Sequence, residues 1–131
     1  MKYLNDYMQD KQTATFNKFG AFFAFSDTQF NEQKKEGVKY VSMGAGILAP
    51  INEAKNLRHE LNTVYQQAIK QDIQENGIKA IIHRELANHE CQISMDHSDA
   101  LISLDGYGIT EKQVLAEWSE YYQCCLANDC F

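Results

Sequence analysis

The sequence has very little proline: Pro50 is the only one in 131 residues. It also has no serine-, glycine- or proline-rich run of the kind that forms flexible linkers. Hydrophobic residues make up 44% of the chain and charged residues 23%, which is typical of a folded protein and excludes a disordered one. Because this length is that of one ordinary domain, we predict a single domain over residues 1–131.

The chain lacks any apolar run near the roughly 20 residues needed to cross a bilayer. Its first residues, MKYLNDYMQDKQ, alternate polar and apolar side chains, unlike a signal peptide. The four cysteines include no CxxC pair, and the adjacent Cys124 and Cys125 are poorly placed to bridge to each other. We therefore expect a cytoplasmic protein with free thiols and no membrane association.

Basic residues are almost absent from the C-terminal part of the chain. Residues 85–131 contain nine acidic residues against Lys112 alone, a net charge of −8, whereas residues 1–84 contain eleven basic and nine acidic residues, a net of +2. Phosphate binding depends on Lys and Arg, so we expect no direct nucleic-acid binding. An acidic surface suits a protein partner with a basic surface. The alternative is that these acids only keep the protein soluble.

One short stretch is unusually aromatic: residues 19–25 read FGAFFAF, with four phenylalanines. Its length and aromatic content predict a buried strand. A strand alternates its faces, so Phe23 and Phe25 share one side and Phe22 lies on the other. We predict that Phe23 and Phe25 are core residues. The alternative is a binding surface.

Helical spacing and capping signals predict six helices around a small sheet. Two capping-box patterns, Ser26 to Gln29 and Thr110 to Gln113, predict the starts of two of them. Strands are predicted at 38–44 and in ILAP, which ends at Pro50. The fold class is therefore α+β, a small antiparallel sheet of two or three strands covered by four to six helices. The predicted helices cover about 3–17, 27–36, 51–76, 78–91, 100–105 and the chain after Thr110.

The densest polar cluster lies between His83 and Asp99. We interpret its members as a structural motif that braces a neighbouring loop; they are Glu85, Asn88, His89 and Glu90. The alternative is a metal-dependent enzyme or metal-stabilised regulator that uses Glu85, His89, Glu90 and His97, because imidazole and carboxylate are ligands for zinc, manganese or iron. The spacing matches no known ligand motif, so we predict no catalytic residue, no metal and no cofactor.

The last helix combines aromatic and acidic residues. Trp118 and Tyr122 recur at helical spacing, which favours core positions. Tyrosine is favoured at protein interfaces, and exposed carboxylates suit a partner with a basic surface. The predicted partner-binding residues are Asp105, Tyr107, Glu111, Glu117, Glu120 and Tyr121.

Three blocks of the sequence, FGAFFAFSDTQF at 19–30, YVSMGAG at 40–46 and RELANHE at 84–90, resemble a known set of proteins. They are similar to the FFAFS-x-x-QF, YVS-x-G and EL-x-NHE blocks of small uncharacterised proteins from phages, plasmids and integrative elements of Bacteroidetes. The resemblance covers most of residues 16–115, and the cysteine-rich C-terminus departs from it.

The resemblance implies a context more than a chemistry. Small acidic proteins of mobile elements include inhibitors of host defence, among them anti-CRISPR proteins. The function we expect is a non-enzymatic inhibitor that binds a CRISPR effector with its guide RNA, such as a type VI RNA-targeting effector, and blocks targeting or cleavage. A third hypothesis is a protein of the element itself that acts in transfer or replication.

Overall fold

The computed structural model describes all residues 1–131 and divides into two compact units, 1–68 and 69–131. The first unit contains helix α1 (Leu4–Phe19), strand β1 (Phe22–Phe23), helix α2 (Asp27–Gln33), strands β2 (Tyr40–Gly44) and β3 (Ile47–Pro50), and the beginning of helix α3 (Ala54–Asn76). The second contains the end of α3 and helices α4 (Ile78–Asn88), α5 (Cys91–Ser94), α6 (Ser98–Asp105) and α7 (Glu111–Asn128). The α+β class is confirmed, and the single domain over 1–131 stays a prediction.

The sheet of the first unit is antiparallel, with the strand order β1-β3-β2. The central strand β3 ends at Pro50, opposite Tyr40, as expected for a residue that cannot donate a ladder hydrogen bond. A small apolar core lies on this sheet. It consists of Ala21, Ala49 and Leu57, with Phe16, Phe19, Met43, Ile47 and Leu61 around them.

The aromatic stretch does not form the buried strand that the sequence predicts. Phe19 is the last residue of α1, and Gly20, with φ of 70°, ends that helix in the left-handed conformation that glycine adopts without strain. Only Phe22 and Phe23 remain as β1, a short edge strand. The core prediction is wrong for Phe23 and Phe25, which are 46% and 74% exposed, because Phe23 lies on an edge strand and Phe25 lies outside the sheet, after the end of β1.

The second unit is built around one helical core. The predicted apolar face of α4 is confirmed, since Ile81, Ile82 and Leu86 are buried. Helix α7 follows its predicted start, with the Thr110–Gln113 capping box in place. The buried residues of this core are Ile81, Ile82, Leu86, Cys91, Ala100, Leu104, Ile109, Val114, Tyr121 and Cys125.

A break after α4 adds a seventh helix. The sequence predicts one helix over 78–91, but α4 ends at Asn88, and Glu90 has a left-handed backbone with φ of 50°. The chain then restarts as α5, a single turn. Trp118 and Tyr122, predicted as core residues, are half-buried, whereas Tyr121 faces the core.

Candidate functional site

A buried ion pair lies at the centre of the polar network of the second unit. Asp72 on α3 is 0% exposed and Arg84 on α4 is 6% exposed. The Arg84 guanidinium donates to both carboxylate oxygens of Asp72, each over 2.9 Å. Tyr107 donates its hydroxyl to Asp72 over 2.5 Å, and Asn76 donates to the same carboxylate over 2.8 Å. These contacts join α3, α4 and the loop after α6.

The network controls the ionisation of its members. Burial alone would raise the pKa of Asp72, but the hydrogen bonds from Arg84, Tyr107 and Asn76 outweigh it and lower that pKa below its usual value. Burial alone would likewise lower the pKa of Arg84, and Asp72 raises it. Burial, together with the bond to Asp72, raises the pKa of Tyr107. The ionised pair with a neutral phenol is therefore the stable state, which suits a structural role.

The cluster predicted around Glu85 divides into buried and exposed residues. Glu85 is buried and accepts from Arg84 Nε over 3.0 Å, and its role in the fold stays a prediction. His89 Nε2 lies 2.9 Å from Ser103 Oγ and 3.7 Å from a Glu85 oxygen. Asn88 and Glu90 are exposed, and no side-chain hydrogen bond braces a loop through Asn88. Glu90 does not converge with Glu85 and His89 as a ligand set.

Two of the predicted partner-binding residues are engaged inside the unit. Tyr121 is only 6% exposed and donates its hydroxyl to Gln92 over 2.7 Å, so placing it on a binding surface was wrong. Tyr107 is half-buried and its hydroxyl is committed to Asp72. Tyr121 is seven residues after Val114 and four before Cys125, so helical spacing places it on the buried line of α7 with them.

Two of the predicted acids already have basic partners. Glu117 Oε2 lies 3.0 Å from His83 Nε2, and Glu120 Oε1 lies 2.8 Å from Lys79 Nζ. Both contacts connect α7 to α4 inside the second unit. These two glutamates are therefore less available to a basic partner than the sequence suggests.

Other acids of the second unit are exposed and have no ion-pair partner within it. Residues 69–131 contain eleven acidic residues and four basic ones, a net charge of −7, whereas residues 1–68 have seven and eight, a net of +1. The predicted residues Asp105 and Glu111 belong to the exposed set. Asp96 and Glu75 are exposed too, but each accepts a side-chain hydrogen bond, from Ser98 and from Gln71. The exposed acids with neither such a bond nor an ion pair, which we call the acidic set, are Glu90, Asp99, Asp105, Glu111 and Asp129.

The first unit carries an exposed aromatic patch, which we define as Phe23 and Phe25. Their rings are stacked with centroids 6.2 Å apart, and Phe23 also contacts Phe16 edge to face at 5.0 Å. The Phe25 ring lies against the backbone of Gly46, where a Cβ atom would collide with it. Beside it is a cavity of about 370 Å³, lined by Ala24, Phe25, Ser26, Asp27, Phe30, Tyr40 and Leu48.

None of the helices combines the length and apolar character that crossing a membrane requires. No curated protein and no solved structure matches the chain. A family model does match, over residues 4–124, which is nearly the whole chain. The protein therefore belongs to DUF7659, a family of unknown function.

Proposed function

We propose that this protein is a non-enzymatic inhibitor that binds a protein partner with a basic surface. The partner is a nucleic-acid-handling effector of a bacterial host, and the preferred candidate is a type VI RNA-targeting CRISPR effector with its guide RNA. The protein acts in the host cytoplasm as a product of a phage or other mobile element.

The acidic set is the observation that carries this proposal. Its five carboxylates are exposed and unpaired within the second unit, so their field is not neutralised locally. Such a field speeds the encounter with a Lys- and Arg-rich channel and repels RNA and DNA themselves. A competitor of nucleic acid for a basic channel needs this combination.

The aromatic patch gives a protein-binding function a second basis. Large aromatic side chains that are exposed beside a cavity are typical of the residues that dominate binding energy at interfaces. Phe25, at 74% exposed, places most of a phenyl ring in solvent. An interface that uses both surfaces combines electrostatic attraction with apolar anchoring.

The network around Asp72 and Arg84 favours a binder over an enzyme. Its ionisable groups are held in single protonation states by their neighbours, whereas an acid or base catalyst needs a pKa near the working pH. The metal-dependent alternative at Glu85, His89 and Glu90 is weakened because Arg84 already engages Glu85.

An RNA-cleavage assay tests the proposal. Purified protein is added in increasing amounts to a type VI effector that carries its guide RNA, and cleavage of a labelled target RNA is followed. We expect cleavage to stop at a fixed ratio of inhibitor to effector, and to resume when the F23S/F25S double variant replaces the parent. The control is M1S/Y3S, which removes two other exposed apolar side chains of the same unit. Undiminished cleavage at a large excess of the parent protein would contradict the proposal for this effector class.

A further inference from the structure

Three side chains with metal-binding atoms converge on one point of the second unit. They are His83 from α4, and Glu117 and Glu120 from α7. One ligand atom of each lies within 4.8 Å of the other two, and His83 Nε2 is 3.0 Å from Glu117 Oε2. The proposed partner-binding function does not use these residues as a group.

The arrangement follows from the two helices. Glu117 and Glu120 are three residues apart on α7, so their side chains leave the same face of that helix. The His83 ring packs edge to face on the buried Tyr121, with centroids 5.7 Å apart, which leaves its Nε2 atom directed at Glu117. The side chains of His83 and Glu117 are 23% and 25% exposed, so both are partly shielded from water.

The donor set suits a zinc ion. Zn²⁺ binds imidazole nitrogen and carboxylate oxygen at about 2.0–2.2 Å in a tetrahedron, which places neighbouring ligand atoms about 3.3–3.5 Å apart. The separation of 3.0 Å between His83 Nε2 and Glu117 Oε2 is near that value, and Glu120, whose ligand atom lies within 4.8 Å of the other two, needs a shift of at most about 1.5 Å to reach it. We propose that His83, Glu117 and Glu120 form a Zn²⁺ site, with water as the fourth ligand, that clips α4 to α7.

Lys79 is a competitor for the same position. Its ammonium lies 2.8 Å from Glu120 Oε1, one helical turn before His83. Zinc binding must therefore release Glu120 from Lys79. This exchange distinguishes the proposed site from adventitious binding elsewhere on the chain.

Exposed thiols are the main source of adventitious zinc binding. Cys124 and Cys130 are exposed, and Cys124 is one turn beyond Glu120 on α7. The measurements therefore use the full chain with both residues changed to serine, after chelator treatment. In that background, ZnCl₂ is titrated by calorimetry, and Co²⁺ is titrated by the visible absorption of its tetrahedral complexes.

Ligand and competitor variants are expected to move the affinity in opposite directions. H83N, E117Q and E120Q should each weaken Zn²⁺ binding at least about 10-fold, since even loss of a residue behind a metal ligand costs about 10- to 100-fold. K79A should tighten it by about two- to five-fold, because it removes a competing surface ion pair. H59N and D10N, which change an exposed histidine and an exposed aspartate outside the cluster, should leave it unchanged.

The E117Q and E120Q variants keep the test decisive if H83N does not fold. Saturable 1:1 binding that E117Q and E120Q weaken and K79A tightens would support the site. Absence of saturable binding, or an affinity that E117Q leaves unchanged, would overturn it. A K79A variant that binds Zn²⁺ no more tightly than the parent would contradict the assignment of Glu120 as a ligand.

Discussion

Removal of Arg84 from the buried pair with Asp72 should strongly destabilise the second unit. R84M keeps much of the side-chain length but leaves the Asp72 carboxylate, which is 0% exposed, without its cation. Breaking a buried pair from one side costs about 3–5 kcal/mol, a large part of the roughly 5–15 kcal/mol that a domain has in total. With a urea dependence of about 2 kcal/mol per molar, the unfolding midpoint should fall by about 2 M.

Urea denaturation followed by tryptophan fluorescence measures this effect where it occurs. Trp118 is the only tryptophan and lies in the second unit. The matched control is K18A, which breaks the exposed ion pair between Lys18 and Glu60; the lysine side chain is 63% exposed. K18A should lower the free energy of unfolding, followed by circular dichroism, by less than about 1 kcal/mol. A double variant, D72L/R84M, should recover part of the loss because position 72 no longer places an unpaired charge in the core. An R84M midpoint within error of the parent would refute the reasoning.

The same network predicts how stability depends on pH. The folded-state pKa of Asp72 lies below its unfolded value of about 3.9, so its ionised form stabilises the unit above that pH. This contribution is lost as the pH falls through the folded-state pKa. The pKa of Tyr107 is raised above about 10, so its neutral form stabilises the unit below pH 10 and this contribution is lost as the pH rises. In urea melts, D72N should lose less stability than the parent between pH 5 and pH 3; equal losses would contradict the assignment.

Two further substitutions test the surface and the caps. F25S should change the free energy of unfolding by no more than about 0.5 kcal/mol, as is usual at exposed sites, whereas L57A in the core should cost about 2–5 kcal/mol. A loss of several kcal/mol for F25S in urea melts would show that this ring contributes to the core. T110A should cost about 0.5–2 kcal/mol because the Thr110 hydroxyl accepts from the Gln113 amide at the start of α7. Glycine at the same position should cost less. A thermal melt of T110A that matches that of the parent would show that this cap contributes nothing to stability.

The sequence predicts those features of the fold that depend on near neighbours in the chain. The capping signals at Ser26 and Thr110 involve residues three apart, and both side chains accept the expected amide hydrogen bond. Gly106 follows the last residue of α6, as its position after an apolar run indicates. These local signals also give the helix and strand order from which the α+β class follows.

Features that join distant parts of the chain could not be predicted in this way. Asp72 and Arg84 are 12 residues apart and Tyr107 lies another 23 beyond Arg84, so nothing in their spacing marks them as partners. From the sequence, the acidic side of α7 is predicted to be free surface. In the structure, His83 and Lys79 of α4 lie opposite it and pair with Glu117 and Glu120. The sequence therefore points to Glu85 for metal ligands, whereas the side chains that converge, His83, Glu117 and Glu120, belong to two different helices.

The aromatic stretch shows a different limit. Its composition is that of a buried strand, and burial depends on whether another element covers it. Phe22 contacts Phe30 and Tyr40, with ring centroids 6.2 and 5.3 Å away, whereas Phe25 follows the end of β1 and is 74% exposed. Composition cannot distinguish a central strand from an edge strand, and that difference decides between core and surface.

Binding across a salt series tests the central claim, that the acidic set recognises a basic partner. The variant is D105K/E111K, and the matched control is E32K/E36K, which reverses two exposed acids of the first unit. A lysine at position 105 stabilises the C-terminal end of α6, and a lysine at position 111 destabilises the N-terminal end of α7, so the two helix-dipole effects on folding stability offset each other.

The measurement is the dissociation constant with a type VI effector and its guide RNA, from low to above physiological salt. The account predicts that parent and control bind more weakly as salt rises, and that D105K/E111K binds weakly with little salt dependence. An affinity that neither charge reversal nor salt changes would contradict it.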